Sequence, residues 1–316
     1  MTKNPFLHDA SDFDVLISRV QRDYKNVIGQ LIEKDYWIMH CLWGLKKQGF
    51  KFELKGGTSL SKGFGIINRF SEDIDIKIEP PATITVRAGK NDDKQKHIDS
   101  RILFFDWLAK TISIPGVEVE RDSTFDGAKF RNAGIRLNYK STFPQIDGVK
   151  PYILLEVGFD VTTPNRTVDI SSWAYDFATK FNLAIEDNRA RAIPCYLPGY
   201  TLVEKLSAIS RKYRQEQEGR ALPINFIRHY YDVYQLLDDD TVLTFIGTEA
   251  YRKHKEIRFQ STDELDLTKN QAFALDNLST RKKYKEEYQR TRALYFDEAP
   301  NFEQILDRIY LFLPRL

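Results

Sequence analysis

The 316-residue sequence lacks the marks of a secreted or membrane protein. It has two cysteines, Cys41 and Cys195, both in apolar surroundings, which we expect to be packed thiols and not a disulfide. No apolar run reaches the length of a transmembrane helix. Residues 1–14 lack the basic and then apolar layout of a signal peptide. We therefore expect a cytoplasmic protein without a membrane partner.

The sequence also has little net charge. Its 47 lysine and arginine residues nearly balance its 45 aspartate and glutamate residues, for a net charge of +2. Positive charge is nevertheless concentrated in three runs, at residues 205–228, 251–259 and 281–292. Such runs can bind a polyanion. The alternative is a solvated helix face with paired charges, and it is strongest for the third run, which carries its own glutamates.

Apolar patterning predicts a folded protein of mixed class. Hydrophobic residues make up 42% of the chain, and its length favours two domains. Apolar residues recur at helical spacing in residues 12–48 and from Leu202 almost to the end. The intervening pattern predicts further elements: strands at "FKFEL", "DIDIKI", "GVEVERD", "AGIRLNYKS" and "YILLEVGFDV", a short helix over "TSLSKGFGIIN" capped by Thr58, and a helix at 99–112. An α/β or α+β domain would therefore precede a helical one, with a boundary near "AIPCYLPGY".

Common phosphate- and metal-binding motifs are missing. The stretch "GGTSLSKGFG" does not place glycine, lysine and a hydroxyl residue in P-loop register, and no G-x-G-x-x-G follows a strand. "DIDIKI" supplies too few oxygens for an EF-hand loop. The stretch from "GGTSLSKGFG" to "DIDIKI" is therefore not a P-loop, a dinucleotide-binding loop or an EF-hand.

Two aspartates and two glycines remain as the informative pattern. Asp73 and Asp75 alternate with isoleucines on a predicted strand, so they project from one face about 6.5–7 Å apart. That spacing lets both bind one hard divalent cation, Mg²⁺ or Mn²⁺, which would offset their repulsion. Gly56 and Gly57 have no side chains, so a nucleoside triphosphate could approach their backbone N–H groups. The alternative for the aspartates is an exposed sheet face.

Nucleotidyl transfer usually needs a third carboxylate, which helps a hydroxyl lose its proton as it attacks the α-phosphate. Glu156 is the best candidate because it interrupts the apolar strand "YILLEVGF". It is also a candidate third metal ligand. The alternative is a glutamate at a strand edge, paired with a lysine.

The joint pattern "LKGGTSLSK…RFSEDIDI" resembles the signature of the nucleotidyltransferase AbiEii/AbiGii toxin family, a branch of the DNA polymerase β-like nucleotidyltransferases. The likeness extends upstream to "IEKDYWIMHCLWGL" and downstream to "YTLVEKLSAISRK" and "FIRHYYDVYQLL", so it covers most of the chain. It implies an α+β fold. A polymerase β-like nucleotidyltransferase domain with a mixed sheet would span residues 1–195, and a helical domain would span residues 196–316.

The resemblance also implies a function. Members are toxins of toxin–antitoxin or phage-defence (abortive infection) systems, and some relatives modify tRNA. We expect a magnesium- or manganese-dependent enzyme that transfers NMP from NTP to RNA, with tRNA as the favoured acceptor and an antitoxin protein as partner. By the same resemblance Gly56, Gly57 and Thr58 form the phosphate-binding turn, and Asp73 and Asp75 are the metal ligands.

Two residues of the predicted helical domain are also carried over. Lys205 matches a lysine that contacts nucleotide phosphates, and Asp232 matches an acid that borders the site. The alternatives are a surface lysine beside an apolar stripe and an ion pair of Asp232 with Arg228. His229 stands where many relatives have an acid. Ser71, two residues before Asp73, would lie near the metal and is a candidate nucleotide-binding residue; phosphorylation of this region by an antitoxin would add negative charge that competes with the nucleotide.

Two other functions remain open. The chain could be a binding module that keeps the nucleotidyltransferase fold without catalysis and holds a protein or RNA. It could also modify a small hydroxylated molecule. The presence of Asp73, Asp75 and Lys205 together favours catalysis, and the basic runs favour RNA.

Overall fold

The computed structural model describes residues 4–24, 27–89, 91–146, 148–223, 226–296 and 298–316. The chain folds as two compact units. The first unit comprises Met1–Gly63 and Phe70–Tyr196, and the second comprises Phe64–Arg69 and Leu197–Leu316.

A seven-stranded sheet forms the centre of the first unit. Its strands are β1 Phe52–Lys55, β2 Ile74–Ile78, β3 Val117–Asp122, β4 Asn132–Tyr139, β5 Ile153–Gly158, β6 Asn165–Ile170 and β7 Ala190–Tyr196. Their order across the sheet is β3-β4-β5-β2-β1-β7-β6. β2 runs parallel to β5 and antiparallel to β1, while β1 runs parallel to β7. The predicted α+β fold with a mixed sheet is therefore confirmed.

The helices of the first unit are α1 Phe13–Asp23, α2 Gly29–Lys47, α3 Gly56–Thr58, which continues as a π-helix at Ser59–Gly63, α4 Gln95–Thr111 and α5 Trp173–Lys180. The helical spacing in residues 12–48 is confirmed, and it corresponds to the two helices α1 and α2. The short helix differs from its prediction because it begins at Gly56 with Lys55 as the N-cap residue. Thr58 does not cap it. Its hydroxyl donates instead to the backbone carbonyl of Asp73.

Helix α2 carries three consecutive buried charges. Glu33, Lys34 and Asp35 are each at most 1% exposed. Burying an unpaired charge is costly, so each needs a partner. Glu33 accepts hydrogen bonds from the segment at 141–142, Lys34 pairs with Glu72, and Asp35 lies 2.6 Å from Lys62 in the turn after the paired glycines. Helix α2 therefore anchors the segments around both the glycines and the aspartates.

The structure adds two strands that the sequence did not predict. β6 and β7 pair antiparallel, and β7 also borders β1, so β7 lies inside the sheet. It contains Pro194, opposite Thr167. Proline lacks the N–H that a ladder needs, so it argues against an interior strand. The cluster of prolines that predicted a boundary thus includes the end of a strand.

The second unit is helical, as the sequence predicted from Leu202 onward. Its helices are α6 Pro198–Gln217, α7 Arg228–Leu236, α8 Asp240–Phe245, α9 Glu249–Arg258, α10 Gln271–Ala274, α11 Leu278–Arg290 and α12 Phe302–Phe312. Segment 64–69 belongs to this unit, where the carbonyl of Asn68 accepts a hydrogen bond from the backbone of Phe296. Among the helices described, none is both long and apolar enough to cross a membrane.

Candidate active site

In the first unit the paired glycines lie directly against the acidic strand. Gly56 has φ +73°, and a Cβ built on it would lie 2.2 Å from Oδ2 of Asp75. Only glycine tolerates both that backbone angle and that approach. The Thr58 hydroxyl, 2.5 Å from the Asp73 carbonyl, ties the same turn to the start of β2. The structure therefore brings Gly56, Thr58, Asp73 and Asp75 together.

Glu156 lies beside Asp75 because β5 pairs with β2 in parallel. Asp75 is in register with Glu156 on one side and with Lys55 of β1 on the other. β5 is flanked by β4 and β2, so the alternative of a glutamate at a strand edge is wrong. We call Glu72, Asp73, Asp75 and Glu156 the carboxylate cluster.

The carboxylate cluster is electrostatically strained. The negative charge of Asp75, followed by burial, raises the pKa of Glu156 to about 8. Near neutral pH the protonated form of Glu156 is therefore favoured while Asp75 is charged beside it. Burial also raises the pKa of Asp73, and the neighbouring charges of Glu72 and Asp75 add to the effect. The cluster has more negative charge than its protein surroundings neutralise.

Lys150 is a member of this site that the sequence reasoning missed. Its Nζ lies 2.7 Å from Oδ1 of Asp73 and 5.3 Å from the centre of the Phe125 ring. Burial alone would lower the pKa of Lys150, but the charges of Asp73, Glu72 and Glu156 outweigh burial and raise it. The only signal in the sequence is a lysine shortly before the strand that carries Glu156, which is too common a feature to single out.

The carboxylate cluster offers hard oxygen donors of the kind that Mg²⁺ and Mn²⁺ prefer. In the part of the chain that the structure describes, no three histidine, cysteine, aspartate or glutamate side chains stand ready to hold a metal ion. In this structure the Lys150 ammonium is bound to Asp73, and the charge of Asp75 together with burial favours the protonated form of Glu156. The donor set fits a divalent cation once the ammonium and the proton have left.

In the second unit, Asp232 lies at the centre of a buried charge cluster. Its carboxylate accepts hydrogen bonds from Arg69 Nε at 2.7 Å and Arg69 Nη2 at 2.8 Å, and Lys205 Nζ lies 3.0 Å from its Oδ2. Asp232 is fully buried and Lys205 is 9% exposed, so the alternative of a surface lysine is wrong. Arg69, from the segment at 64–69, is the first residue of the quoted "RFSEDIDI" motif, but no role was predicted for it.

The cations around Asp232 reverse the usual effect of burial. Burial by itself would raise the pKa of Asp232, but the charges of Arg69 and Lys205 hold it well below its ordinary value. Lys205 also donates to Nδ1 of His229 at 3.3 Å. Burial and the Lys205 charge lower the pKa of His229, which keeps it neutral and able to accept. We call Arg69, Lys205, His229 and Asp232 the Asp232 cluster, and it has a surplus of one positive charge.

The remaining predicted residues differ in their surroundings. Gly57 is buried in the glycine turn, and Ser71 is half-buried two residues before Asp73. The alternative for the third basic run, a helix face with paired charges, is confirmed. The ion pairs are Arg281 with Glu303, Lys283 with Glu216 and Arg290 with Glu287. In the first run, by contrast, Arg211 and Lys212 have no acidic partner within 4.0 Å among the described residues.

Three comparisons with known proteins bear on this geometry. A family model described as nucleotidyl transferase AbiEii toxin, type IV toxin–antitoxin system, matches residues 41–308. The crystal structure of an antigenic nucleotidyltransferase-like protein from Paracoccidioides brasiliensis is similar, at 13% identity and a TM-score of 0.38, over 86% of this chain and 97% of that chain. Among curated proteins no match is found.

Proposed function

The chain belongs to the nucleotidyl transferase AbiEii toxin family of type IV toxin–antitoxin systems, and we propose that it transfers NMP from NTP to an RNA hydroxyl in a reaction that needs Mg²⁺ or Mn²⁺. The observation that carries this proposal is the carboxylate cluster packed against a side-chain-free turn at Gly56. A divalent cation and a triphosphate are the two ligands that such an arrangement suits.

The roles in the first unit follow from the contacts. Asp73 and Asp75 would hold the metal, which, when bound, supplies positive charge to the phosphate oxygens. The backbone N–H groups of Gly56 and Gly57 would receive the triphosphate, with Ser71 close to the same end of β2. Thr58 acts through its bond to the Asp73 carbonyl and fixes the spacing between turn and strand.

Glu156 serves as the third carboxylate. The acceptor hydroxyl attacks the α-phosphorus, the bond from that phosphorus to the bridging oxygen breaks, and pyrophosphate leaves. The hydroxyl proton passes to the Glu156 carboxylate. Glu156 is also the remaining candidate metal ligand, because it is in register with Asp75.

Lys205 contributes a cation for the phosphates of the nucleotide. The support for this role lies within the second unit, where the Asp232 cluster keeps a surplus positive charge. Asp232 is then a positioning residue, which holds Lys205 and Arg69, and His229 fixes the other side of the Lys205 ammonium.

RNA is the acceptor that the charge distribution favours, and tRNA is the RNA we propose. Arg211, Lys212 and Arg220 lie close enough that burial and the two arginine charges lower the pKa of Lys212. Arg211 and Lys212, which have no acidic partner within 4.0 Å among the described residues, supply positive charge that attracts a phosphate backbone. As a member of a toxin family, the chain would be controlled by an antitoxin, and phage defence is the wider role we propose.

Transfer can be tested by incubating the purified chain with Mg²⁺, total RNA and each α-labelled NTP separately. We expect label in RNA with the wild-type chain and with Asp14→Asn, an exposed acid of α1, but not with Asp73→Asn. Label that enters only small molecules would favour a small-molecule transferase. Absence of label with every NTP would favour a binding module.

A further inference from the structure

The Lys150 ammonium occupies the position in the carboxylate cluster where a cation is needed. It lies 2.7 Å from Asp73 Oδ1, within reach of a direct ion pair, and the charges of Glu72 and Glu156 also act on it. Oδ1 is one of the two oxygens that Asp73 could offer to a metal. While Lys150 stays there, that oxygen is committed to the protein's own cation.

The backbone of Lys150 is held in place. Its N–H donates to Oε2 of Glu72 at 3.0 Å, and its carbonyl accepts from Nζ of Lys34 at 2.8 Å. Lys34 and Glu72 are themselves a buried ion pair, 3.2 Å apart, with side chains 0% and 2% exposed. A buried, hydrogen-bonded pair of this kind is costly to break. Lys150 can therefore leave Asp73 only by rotation of its side chain.

The side chain of Lys150 is able to make that rotation. It is 23% exposed, and the Asp73 side chain that it contacts is 19% exposed, so solvent reaches the pair. A lysine side chain has four flexible methylene groups and a strongly hydrated ammonium, so the ammonium can move away from an ion pair into water. The contact to the Phe125 ring, at 5.3 Å, is weak beside an ion pair.

We propose that Lys150 is a built-in placeholder cation: its ammonium neutralises Asp73 in the metal-free chain and is displaced when the divalent metal binds. Lys150 thereby sets the metal affinity of the site. This inference rests on the proposed function, because it takes the carboxylate cluster to be the metal site. Lys150 is a positioning residue for Asp73. Removal of Lys150 should strengthen metal binding, because Asp73 would then have no ammonium that competes with the metal.

The test measures binding of Mn²⁺ alone to the full purified chain, by electron paramagnetic resonance, without nucleotide. For Lys150→Met we expect a dissociation constant about tenfold lower than in the wild-type chain, since the metal no longer competes with an ammonium. Lys150→Gln should behave in the same way and serves if the methionine variant folds poorly. Lys150→Arg keeps the charge and should bind Mn²⁺ no more tightly than wild type.

The matched control is Lys140→Met, which removes an exposed lysine of the same unit and should leave Mn²⁺ binding unchanged. A second readout is the melting temperature. Without metal, Lys150→Met should melt lower than wild type because the acids repel, and Mn²⁺ should raise its melting temperature by more than it raises that of wild type.

The outcomes separate this inference from the proposed function. If Asp73→Asn abolishes Mn²⁺ binding while Lys150→Met binds as weakly as wild type or more weakly, the placeholder role is wrong and the metal site stands. If Asp73→Asn binds Mn²⁺ as wild type does, the metal site is elsewhere and both proposals fail.

Discussion

Each unit contains an aspartate cluster, half-buried in the first unit and buried in the second, and the two clusters have opposite electrostatics. In the first unit Asp75 faces Glu156, and the repulsion of the acids raises the pKa of Glu156 to about 8. In the second unit Asp232 faces Arg69 and Lys205, whose charges outweigh burial and hold its pKa well below the ordinary range. The acids of the first cluster outnumber the cations paired with them, Lys34 and Lys150, whereas the cations of the second outnumber its acid.

This difference separates two uses of a buried acid. A carboxylate that two cations surround is a structural element, because its removal leaves the cations buried without a counter-charge. A set of carboxylates that face each other is unfavourable as it stands, and such perturbed groups cluster at functional sites. By that criterion the first cluster supports the proposed metal site, and the second supports the proposed role of Lys205 in binding an anion.

The largest effect should come from a substitution in the carboxylate cluster of the first unit, and it should lower activity without lowering stability. Asp73→Asn should lower nucleotidyl transfer about a thousandfold, because one metal ligand and its charge are lost. The melting temperature should change little, since the substitution also relieves repulsion. Chelation of the metal with EDTA should abolish transfer by the wild-type chain. Near-normal transfer by Asp73→Asn in a labelling assay would contradict the assignment.

A substitution in the Asp232 cluster of the second unit should instead lower stability. Asp232→Asn leaves Arg69 and Lys205 buried without a full negative partner, so we expect the free energy of unfolding to fall by about 3–5 kcal/mol. Asp238→Asn, at an acid whose side chain is 55% exposed, is the control and should lose less than about 1 kcal/mol. Urea unfolding of the three chains gives the comparison. A loss at Asp232 as small as that at Asp238 would show that the cluster is not structural.

The pH dependence of stability should differ in sign between the clusters. Glu156 has an ordinary pKa of 4.5 and a folded pKa of about 8, so between these values the folded chain holds the extra proton. This group therefore destabilises the chain above pH 8 and ceases to do so as the pH falls toward 4.5. Asp232 has a depressed pKa, so its contribution is present above its ordinary value of 3.8 and is lost as the pH falls below it.

The variant Glu156→Gln measures how much Glu156 contributes to the pH dependence of stability. The variant should be more stable than wild type by on the order of 2 kcal/mol at about pH 9, and the two should converge at about pH 5. Thermal melts across that range, with EDTA present, provide the measurement. A constant difference at every pH would mean that the pKa of Glu156 is not raised in the folded chain.

The smallest effect concerns His229. His229→Leu removes the neutral acceptor of Lys205, and we expect a loss of about 1 kcal/mol in stability. His229→Asn offers an amide oxygen in its place and should recover part of that loss. The readout is urea unfolding of both variants. Equal losses in the two would show that packing, and not the bond to Lys205, is what His229 contributes.

The sequence predicted the parts of the fold that local pattern determines. The alternation of Ile74, Ile76 and Ile78 with charged residues identified β2, and helical spacing identified α1 and α2. Strand β7 was missed because Pro194 contradicts local strand propensity and is tolerated only through tertiary context. The burial of the charged residues of α2 could also not be predicted, since the residues that pair with them lie far away in sequence.

The candidate site was predictable to a similar degree. Asp73, Asp75, Gly56 and Gly57 stood out because their spacing within one hairpin carries chemical meaning. No role could be predicted for Lys150, or for Arg69 at the start of the quoted "RFSEDIDI" motif, because each acts on an acid that only the fold brings close. Lone lysines and arginines are too common on protein surfaces for either to be distinguished in advance.

The most direct test of the metal site is localised cleavage by Fe²⁺, which can replace Mg²⁺ and, with ascorbate and peroxide, cuts the backbone near the bound ion. If the carboxylate cluster holds the metal against the glycine turn, mass spectrometry should find cuts within residues 55–58, 72–76 and 154–157. These cuts should disappear in Asp73→Asn and with excess Mg²⁺. Cuts at other positions, or the same cuts in Asp73→Asn, would contradict the account.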